Sequence, residues 1–215
     1  MISDNTRGLL CIWTDVDPQH ESEFNRWYDT EHMQERVAIP GFQNARRFRA
    51  APGSPRPYLA LYYTDNLAVF TSLAYASAFS RQTDWSKLNF TRMRDTQRRV
   101  GLLTVEAGAG EGAALAMFVV PAAKLAERDW KSRLEKALRA LLGQEHVICV
   151  SLLETDAALS TPVTQNASPA MADALAMVEA SRLGAAALHA RVLSDALGLG
   201  PDNVFLFQAL WRLGS

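Results

Sequence analysis

The sequence predicts an α+β fold in which two ferredoxin-like βαββαβ repeats, carried by one chain, pack sheet to sheet as a single α+β barrel. Three observations support this prediction. Strand-like and helix-like segments follow the order βαββαβ in both halves, residues 108–112 form a glycine-rich break between the halves, and the first strands are apolar on both faces. Such a sheet needs helices on one face and a second sheet on the other. We expect one continuous domain, with an N-terminal repeat at residues 1–108 and a degenerate C-terminal repeat at 109–215.

Turn-forming residues bound the elements of the first half. Asp17-Pro18 precedes a charged amphipathic segment and Pro40-Gly41 follows it, which predicts a helix between them. The Pro- and Gly-rich residues 52–55 predict the turn of a hairpin. An irregular, arginine-rich stretch separates the second helix from the fourth strand. The predicted elements are strands at 9–16, 42–50, 58–64 and 100–106 and helices at 20–36 and 67–79.

The second half repeats this order of elements with little sequence identity. Leucines at helical spacing, ended by Gly143, predict one long first helix. The other segments are short apolar runs bounded by polar turns, which predict strands, and one further helical segment. The predicted elements are strands at 114–120, 147–153, 172–179 and 204–211 and helices at 124–142 and 182–197.

Composition and charge exclude several classes of function. The net charge of -1, from 22 basic and 23 acidic residues, provides no basic surface for nucleic acid or anionic membranes. No apolar run reaches the roughly 18 to 20 residues that span a bilayer, and the polar N-terminus lacks a signal peptide, so we expect a soluble, cytoplasmic protein. Zinc-ligand spacings, glycine-rich phosphate loops and hydrolase elbows are absent from the sequence. We therefore predict no metal and no cofactor.

The first predicted helix contains the candidate site. Helical spacing places four residues in one stripe with His32 at its flank: Phe24, Trp27, Tyr28 and Glu31. A continuous helix would also bury Glu35, which is costly without a partner. We therefore expect the helix to break or bend near His32, with residues 33–39 as a separate turn. This places Glu31 and His32 at the mouth of a cavity beneath the helix.

Two adjacent arginines follow on the second strand. Whichever face the strand presents, either Arg46 or Arg47 points inward, and a buried arginine requires a carboxylate or a ligand anion. Glu31 and Glu35 are the nearest candidates, so one reading is an ion pair between helix and strand without chemistry. For His32 the alternatives are a hydrogen-bonded residue at a helix end and a ligand-binding or acid-base group.

Aromatic residues complete the candidate site. Tyr58 and Tyr62 lie on the third strand, and Trp85 lies in the extra residues before the last strand, where it either closes a pocket or anchors a long loop. The second half has neither a Glu-His pair nor paired arginines. Any site is therefore expected within residues 1 to 107.

Residues 20–64 resemble the EthD-like proteins of the dimeric α+β barrel superfamily. The resemblance is carried by Trp27-Tyr28, Glu31-His32, Pro40-Gly41-Phe42, Ala45-Arg46-Arg47-Phe48 and Tyr58-Leu59-Ala60-Leu61-Tyr62. It implies a small apolar or aromatic ligand between helices and sheet, with His32 as its acid-base or binding group. The superfamily contains cofactor-free monooxygenases, haem-degrading enzymes, isomerases and cyclases, so it implies no single activity. Most members pair two subunits; here one chain supplies both halves, which leaves a monomer or a homodimer open.

Two functions from different classes follow. In the first, the protein is a cofactor-free oxidoreductase, isomerase or cyclase. His32 moves a proton, Arg46 or Arg47 stabilises an oxyanion, and Tyr58 or Tyr62 orients the substrate. Other ligand contacts are expected from Trp27, Tyr28, Glu31 and Trp85. In the second, the protein is a non-catalytic binding or accessory protein whose Glu, His and Arg residues form a structural cluster. Haem bound by His32 is a branch of the first function that no second histidine or haem motif supports.

Overall fold

The computed structural model describes residues 6–161 and 172–214, which form eight strands and seven α-helices. Within these ranges no helix is long and apolar enough to cross a membrane. The strands are β1 Gly8–Val16, β2 Phe42–Ala50, β3 Tyr58–Thr64, β4 Met93–Gly108, β5 Ala114–Val120, β6 Val147–Thr155, β7 Ala174–Ala180 and β8 Val204–Gly214. The helices are α1 Glu21–Trp27, α2 Met33–Val37, α3 Leu73–Ser80, α4 Asp84–Arg92, α5 Ala122–Leu125, α6 Trp130–Ala140 and α7 Leu183–Ala196.

The eight strands close into one antiparallel barrel in the order β1-β3-β2-β8-β5-β7-β6-β4. The N-terminal strands lie in the order β4-β1-β3-β2 and the C-terminal strands in the equivalent order β8-β5-β7-β6. Two junctions join these sets, β2 with β8 and β4 with β6. The long β4 pairs with β1 through its first residues and with β6 through its last, which closes the barrel. The predicted α+β class and single closed barrel are confirmed.

Strand alternation divides the core into one internal and two external layers. Side chains such as Trp13, Leu61, Met117 and Phe207 fill the barrel interior. The opposite faces of the strands pack against the helices, in one cluster for the first half and another for the second. Because both faces of strands such as β1, β3, β5 and β7 are covered, apolar residues occur there at consecutive positions, as the sequence indicated for β1, whereas the second half of β8 is largely exposed.

The first helix is irregular near His32, as expected, but it does not end there. A π-helical turn, Tyr28–His32, connects α1 to α2, so residues 33–37 are helical rather than a separate turn. The second predicted helix is also divided: a 3₁₀ segment, Leu67–Thr71, precedes α3, and Ser72 caps α3 by accepting the Tyr75 N–H through its side chain. Serine at such a position favours a new helix start.

The arginine-rich stretch contains two elements that the sequence analysis missed. α4 begins after Thr83, whose hydroxyl accepts the Ser86 N–H, and β4 begins at Met93 rather than Val100. α4 is short and polar, so it has little hydrophobic periodicity. In the second half, the single helix predicted at 124–142 is two helices, because Asp129 has a φ of 58° that interrupts the helical backbone.

Candidate functional site

The π-helical turn determines which side chains of the first helix reach the core. In this turn the Met33 N–H donates to the carbonyl of Tyr28, five residues earlier. A π turn holds one residue more than an α turn and so rotates the following residues about the axis. His32 is 6% exposed and Tyr28 is 2% exposed, whereas Glu31 is only half-buried. The turn therefore gives His32 the core position that a regular helix would have given to Glu31.

Aromatic rings enclose His32. The centroid of its ring lies 4.2 Å from that of Trp27, 5.0 Å from that of Tyr28 and 5.6 Å from that of Phe90. The Trp27 indole Nε1 donates to Ser86 Oγ over 3.0 Å, which ties the ring to α4. His32 is thus held by packing rather than by hydrogen bonds.

A cavity of about 40 Å³ lies beside His32, between the helices and the sheet. This volume is close to the roughly 30 Å³ that one water occupies in the liquid. Phe79 of α3 and Phe90 of α4 line it, and both are only partly buried. Its polar lining groups come from the helix, β3 and β4 and include no carboxylate: Tyr28, His32, Arg36, Tyr62, Thr96 and Arg98.

Several polar atoms of this lining are buried without a partner. His32 Nδ1 and Arg36 Nε and Nη1 make no hydrogen bond. Arg36 is 3% exposed; its Nη2 lies 3.7 Å from Glu35 Oε2, and its guanidinium lies 5.1 Å from the centroid of the Phe79 ring. A buried polar atom without a partner costs about 1–3 kcal/mol. Unpartnered buried polar atoms require an explanation, and three of them in the lining of one cavity make this cavity the candidate site.

The cavity holds His32 and Tyr62 in their neutral forms. Burial lowers the pKa of His32 well below its ordinary value, and the positive charges of Arg36 and Arg47 lower it further. Burial and the neighbouring Tyr28 raise the pKa of Tyr62 well above its usual range. At pH 7 the site therefore contains a neutral imidazole and a neutral phenol beside two guanidinium groups.

The two candidate arginines point in opposite directions, and neither lines this cavity. Arg47 faces the helices, where it donates to Asp29 Oδ1 over 2.7 Å and to Asn25 Oδ1. Arg46 faces the barrel interior and donates to Glu179 Oε1 over 2.6 Å. The expected partners Glu31 and Glu35 are wrong for both arginines, because successive strand residues face opposite sides and each side supplies its own carboxylate.

The remaining candidates lie around the site rather than within it. Glu31 accepts from the hydroxyls of Thr83 and Ser86, so it joins the π-helical turn to α4. Trp85 donates to Glu23 and does not line the cavity. The Tyr58 hydroxyl donates to Glu21 and likewise lies outside the cavity. Of the ligand contacts predicted from the sequence, the lining contains Tyr28 and Tyr62.

A second cavity, of about 460 Å³, lies at the end of the barrel where β1 begins. Its charged groups pair with one another: Arg7 with Glu106, Arg46 with Glu179 at 2.6 Å and Arg212 with Glu111 at 2.8 Å. Burial raises the pKa of the Cys149 thiol there to about 12, so this cysteine is not a thiolate nucleophile. The paired charges leave this cavity without an unmet demand for a ligand ion.

Sequence reasoning missed eight of the eleven lining residues: Leu10, Ile12, Arg36, Phe79, Phe90, Met93, Thr96 and Arg98. A signal existed for Arg36, which follows His32 by four residues and so shares its helix face. Arg98 and Phe90 belong to the stretch that was taken as irregular, and without α4 and the early start of β4 their direction could not be inferred.

Comparison with known proteins shows the fold. No protein-family model and no curated protein matches the sequence. Among solved structures, an anthrone oxidase-like protein superposes with a TM-score of 0.66 at 9% identity, covering 99% of this chain and 94% of the other. A proposed monooxygenase from Fusobacterium nucleatum subsp. nucleatum gives 0.59 at 9% identity, over 100% and 96%. A heme-binding protein from Thermus thermophilus gives 0.52 at 8% identity, over 98% and 95%. This chain has the dimeric α+β barrel fold.

Neither of the two cavities in the described residues fits haem. The cavity beside His32 is only about 40 Å³, and the larger cavity is lined by paired charges and contains no histidine. In the described ranges, no group of three or more His, Cys, Asp or Glu residues is placed to hold a metal ion.

Proposed function

We propose that this protein binds a small apolar or aromatic molecule beside His32 and acts on it by acid-base chemistry without a cofactor. One observation carries the proposal: His32 Nδ1 is buried without a partner beside a cavity, and burial keeps the imidazole neutral. A neutral imidazole in a water-poor site is a competent proton acceptor. The oxidase-like and monooxygenase-like proteins that share the fold support, as the first choice, an oxidation in which the deprotonated ligand passes its electrons to dioxygen; an isomerisation or cyclisation would need no oxidant.

Proton abstraction is the step common to the reactions considered. A ligand C–H or O–H loses its proton to His32 Nδ1, and the negative charge remains on the ligand, delocalised onto an oxygen. The ring of Tyr28 and the phenol of Tyr62 bound the ligand on the helix and sheet sides. Because the cavity in this structure has the volume of one water, a ligand enters by displacing the partly buried rings of Phe79 and Phe90.

The finer sequence predictions form part of this proposal. The equivalent strand orders of the two halves support two ferredoxin-like repeats, at residues 1–108 and 109–215, and an EthD-like relationship. A chain that supplies all eight strands itself completes the barrel as a monomer, and a homodimer would form through another surface. We assign the protein to the cytoplasm.

The alternative, a non-catalytic protein with a structural cluster, is favoured by the small size of the cavity. In that case His32 only fills space between Trp27 and Phe90, and the arginines only tie helices to strands. The two functions differ in what a small aromatic probe does, because a filled core binds none.

Nuclear magnetic resonance of the five tryptophan indoles distinguishes them. Phenol and benzamide are titrated into the ¹⁵N-labelled protein, and the Trp27 resonance is assigned with Trp27→Phe. We expect a saturable shift of the Trp27 indole and none of Trp130, which is buried in the other half. His32→Leu keeps a similar volume and should weaken binding at least about tenfold, since the polar contact is lost.

His189→Leu, a histidine of α7 outside the site, is the matched control and should bind both probes as the wild type does. Equal binding by His32→Leu and the wild type would remove His32 from the function. An unmoved Trp27 resonance at saturating phenol and benzamide would establish the structural alternative.

A further inference from the structure

The cavity beside His32 has an unbalanced charge. Arg36 and Arg98 both line it, both are more than nine-tenths buried, and no carboxylate is among its lining residues. The larger cavity at the barrel end contrasts with it, since every arginine there has a carboxylate oxygen no more than 2.8 Å away, whereas the nearest one to Arg36 is 3.7 Å away. Buried guanidinium groups are normally paired because an uncompensated buried charge is costly.

The two arginines of the site differ in whether their hydrogen-bond donors have acceptors. Arg98 donates through Nη1 to the carbonyl of Thr161 over 3.2 Å, and through Nη2 to the Tyr75 hydroxyl over 3.2 Å. Its donors are therefore largely used, and it contributes mainly positive charge. Arg36 has two buried nitrogens without any acceptor, and its closest carboxylate oxygen, on the half-buried Glu35, is 3.7 Å away.

We propose that the ligand of this site is an anion to which Arg36 donates hydrogen bonds. The ligand is a small, mainly apolar or aromatic molecule with one oxyanion group, which is a carboxylate, phenolate or enolate. The inference rests on the proposed function, since it concerns the same cavity, and it adds the ligand's charge and a specificity-determining residue. Nε–H and Nη1–H point to different sides of the guanidinium, so each can donate its own charge-assisted hydrogen bond, and one such bond is enough to hold an oxyanion oxygen.

The remaining lining sets the rest of the ligand's character. Phe79, Phe90, Leu10, Ile12 and Met93 offer only apolar surface, so a second charge or a polyol would be left unsatisfied. His32 Nδ1 and the Tyr62 hydroxyl border the same space. A ligand with its oxyanion on Arg36 therefore has an apolar body against the phenylalanines and one edge facing the imidazole.

Matched probes test the charge. Benzoate and benzamide have nearly the same shape and differ in charge, and both are titrated against the Trp27 indole resonance. We expect benzoate to bind at least about tenfold more tightly than benzamide. Arg36→Met should abolish this preference by weakening benzoate alone, Arg36→Lys should retain part of it, and Arg128→Met, at an exposed arginine of the other half, should retain all of it.

Thermal unfolding without ligand provides a second readout. Removing a buried charge whose one carboxylate contact is the 3.7 Å approach to Glu35, while keeping an apolar stem, should leave the Tm of Arg36→Met unchanged or raise it, whereas a structural arginine would lower it. Benzamide binding equal to or tighter than benzoate, or a benzoate preference that survives in Arg36→Met, would overturn the anion inference alone. If neither probe shifts Trp27, the proposed function fails together with it.

Discussion

The ion pair between Arg46 and Glu179 in the barrel interior gives the strongest expected effect on stability. Glu179 accepts from Arg46 Nη1 over 2.6 Å and from the Gly112 N–H over 2.8 Å, and Arg46 Nη2 donates to the Gly112 carbonyl over 3.1 Å. Burial lowers the pKa of Arg46, but its hydrogen bond to Glu179 and the charge of Glu179 outweigh burial and raise it. The pair thus fastens β2 to β7 and to the residues just before β5.

Arg46→Met removes one partner and leaves a carboxylate that is 6% exposed with one backbone donor. Breaking a buried pair in this way costs about 3–5 kcal/mol. Because Glu179 borders the cavity of about 460 Å³, water reaches the carboxylate and the lower end applies, about 3 kcal/mol. For a chain of this size that lowers the Tm by about 6–12 °C.

Urea unfolding at pH 7 measures the loss, with an unchanged slope showing that the folded state keeps its compactness. The double variant Arg46→Met/Glu179→Leu removes both charges and should cost about 2 kcal/mol, since only the polar groups of Gly112 then lack partners. The single losses should therefore exceed the double one when summed. A loss below about 1 kcal/mol for Arg46→Met, or strict additivity, would refute the buried pair.

Three further outcomes are expected. Gly101→Ala would place a Cβ 1.9 Å from a backbone carbonyl oxygen and should lower the free energy of unfolding by about 3 kcal/mol, whereas Gly184→Ala, in open space on α7, should raise it by about 0.5 kcal/mol. Urea unfolding that ranks the two variants the other way would contradict the β4–β6 contact. The pKa of His32 is lowered in the folded state, so the unfolded chain takes up its proton first and the free energy of unfolding falls as the pH drops below about 6.5. In that range the free energy of unfolding of His32→Gln should fall by up to about 1.4 kcal/mol less per pH unit than that of the wild type. Parallel plots of this free energy against pH for the two proteins would show that His32 is not buried neutral. Asp29→Ala should cost only about 1–2 kcal/mol, because Arg47 keeps its bond to Asn25; a loss as large as that of Arg46→Met would mean that Asp29 is the sole partner.

The barrel could be predicted because its cause is visible in local sequence. Apolar residues at consecutive positions, as from Leu9 to Ile12, mean that both faces of β1 are covered, and turns such as residues 52–55 fix which strands are neighbours. That the sheet closes into a barrel was predictable, because strands apolar on both faces need a second sheet to cover them. The early start of β4 at Met93 was not predictable, because the residues that follow it, from Arg94 to Arg99, are polar on both faces.

The site was less predictable because it depends on a one-residue shift in a helix. The apolar stripe predicted that Trp27, Tyr28 and the neighbourhood of His32 face the core, where these residues are buried, and the cost of burying Glu31 and Glu35 indicated the irregularity found there. It did not indicate a π turn, because a π turn and a helix end both remove the carboxylates from the core. Only the π turn lets the helix continue, and only a continuing helix places Arg36 on the same face as His32.

That continuation has an energetic consequence that bears on function. A helix that ended at His32 would have let Arg36 reach solvent; the π turn followed by α2 instead holds it 3% exposed with two nitrogens unpaired. A π insertion is itself less stable than regular helix, so the π turn and the unpaired nitrogens of Arg36 both lower the stability of the fold at this position. Their coincidence beside one cavity, with a neutral histidine between Trp27 and Phe90, is expected where the bound state of a ligand offsets both.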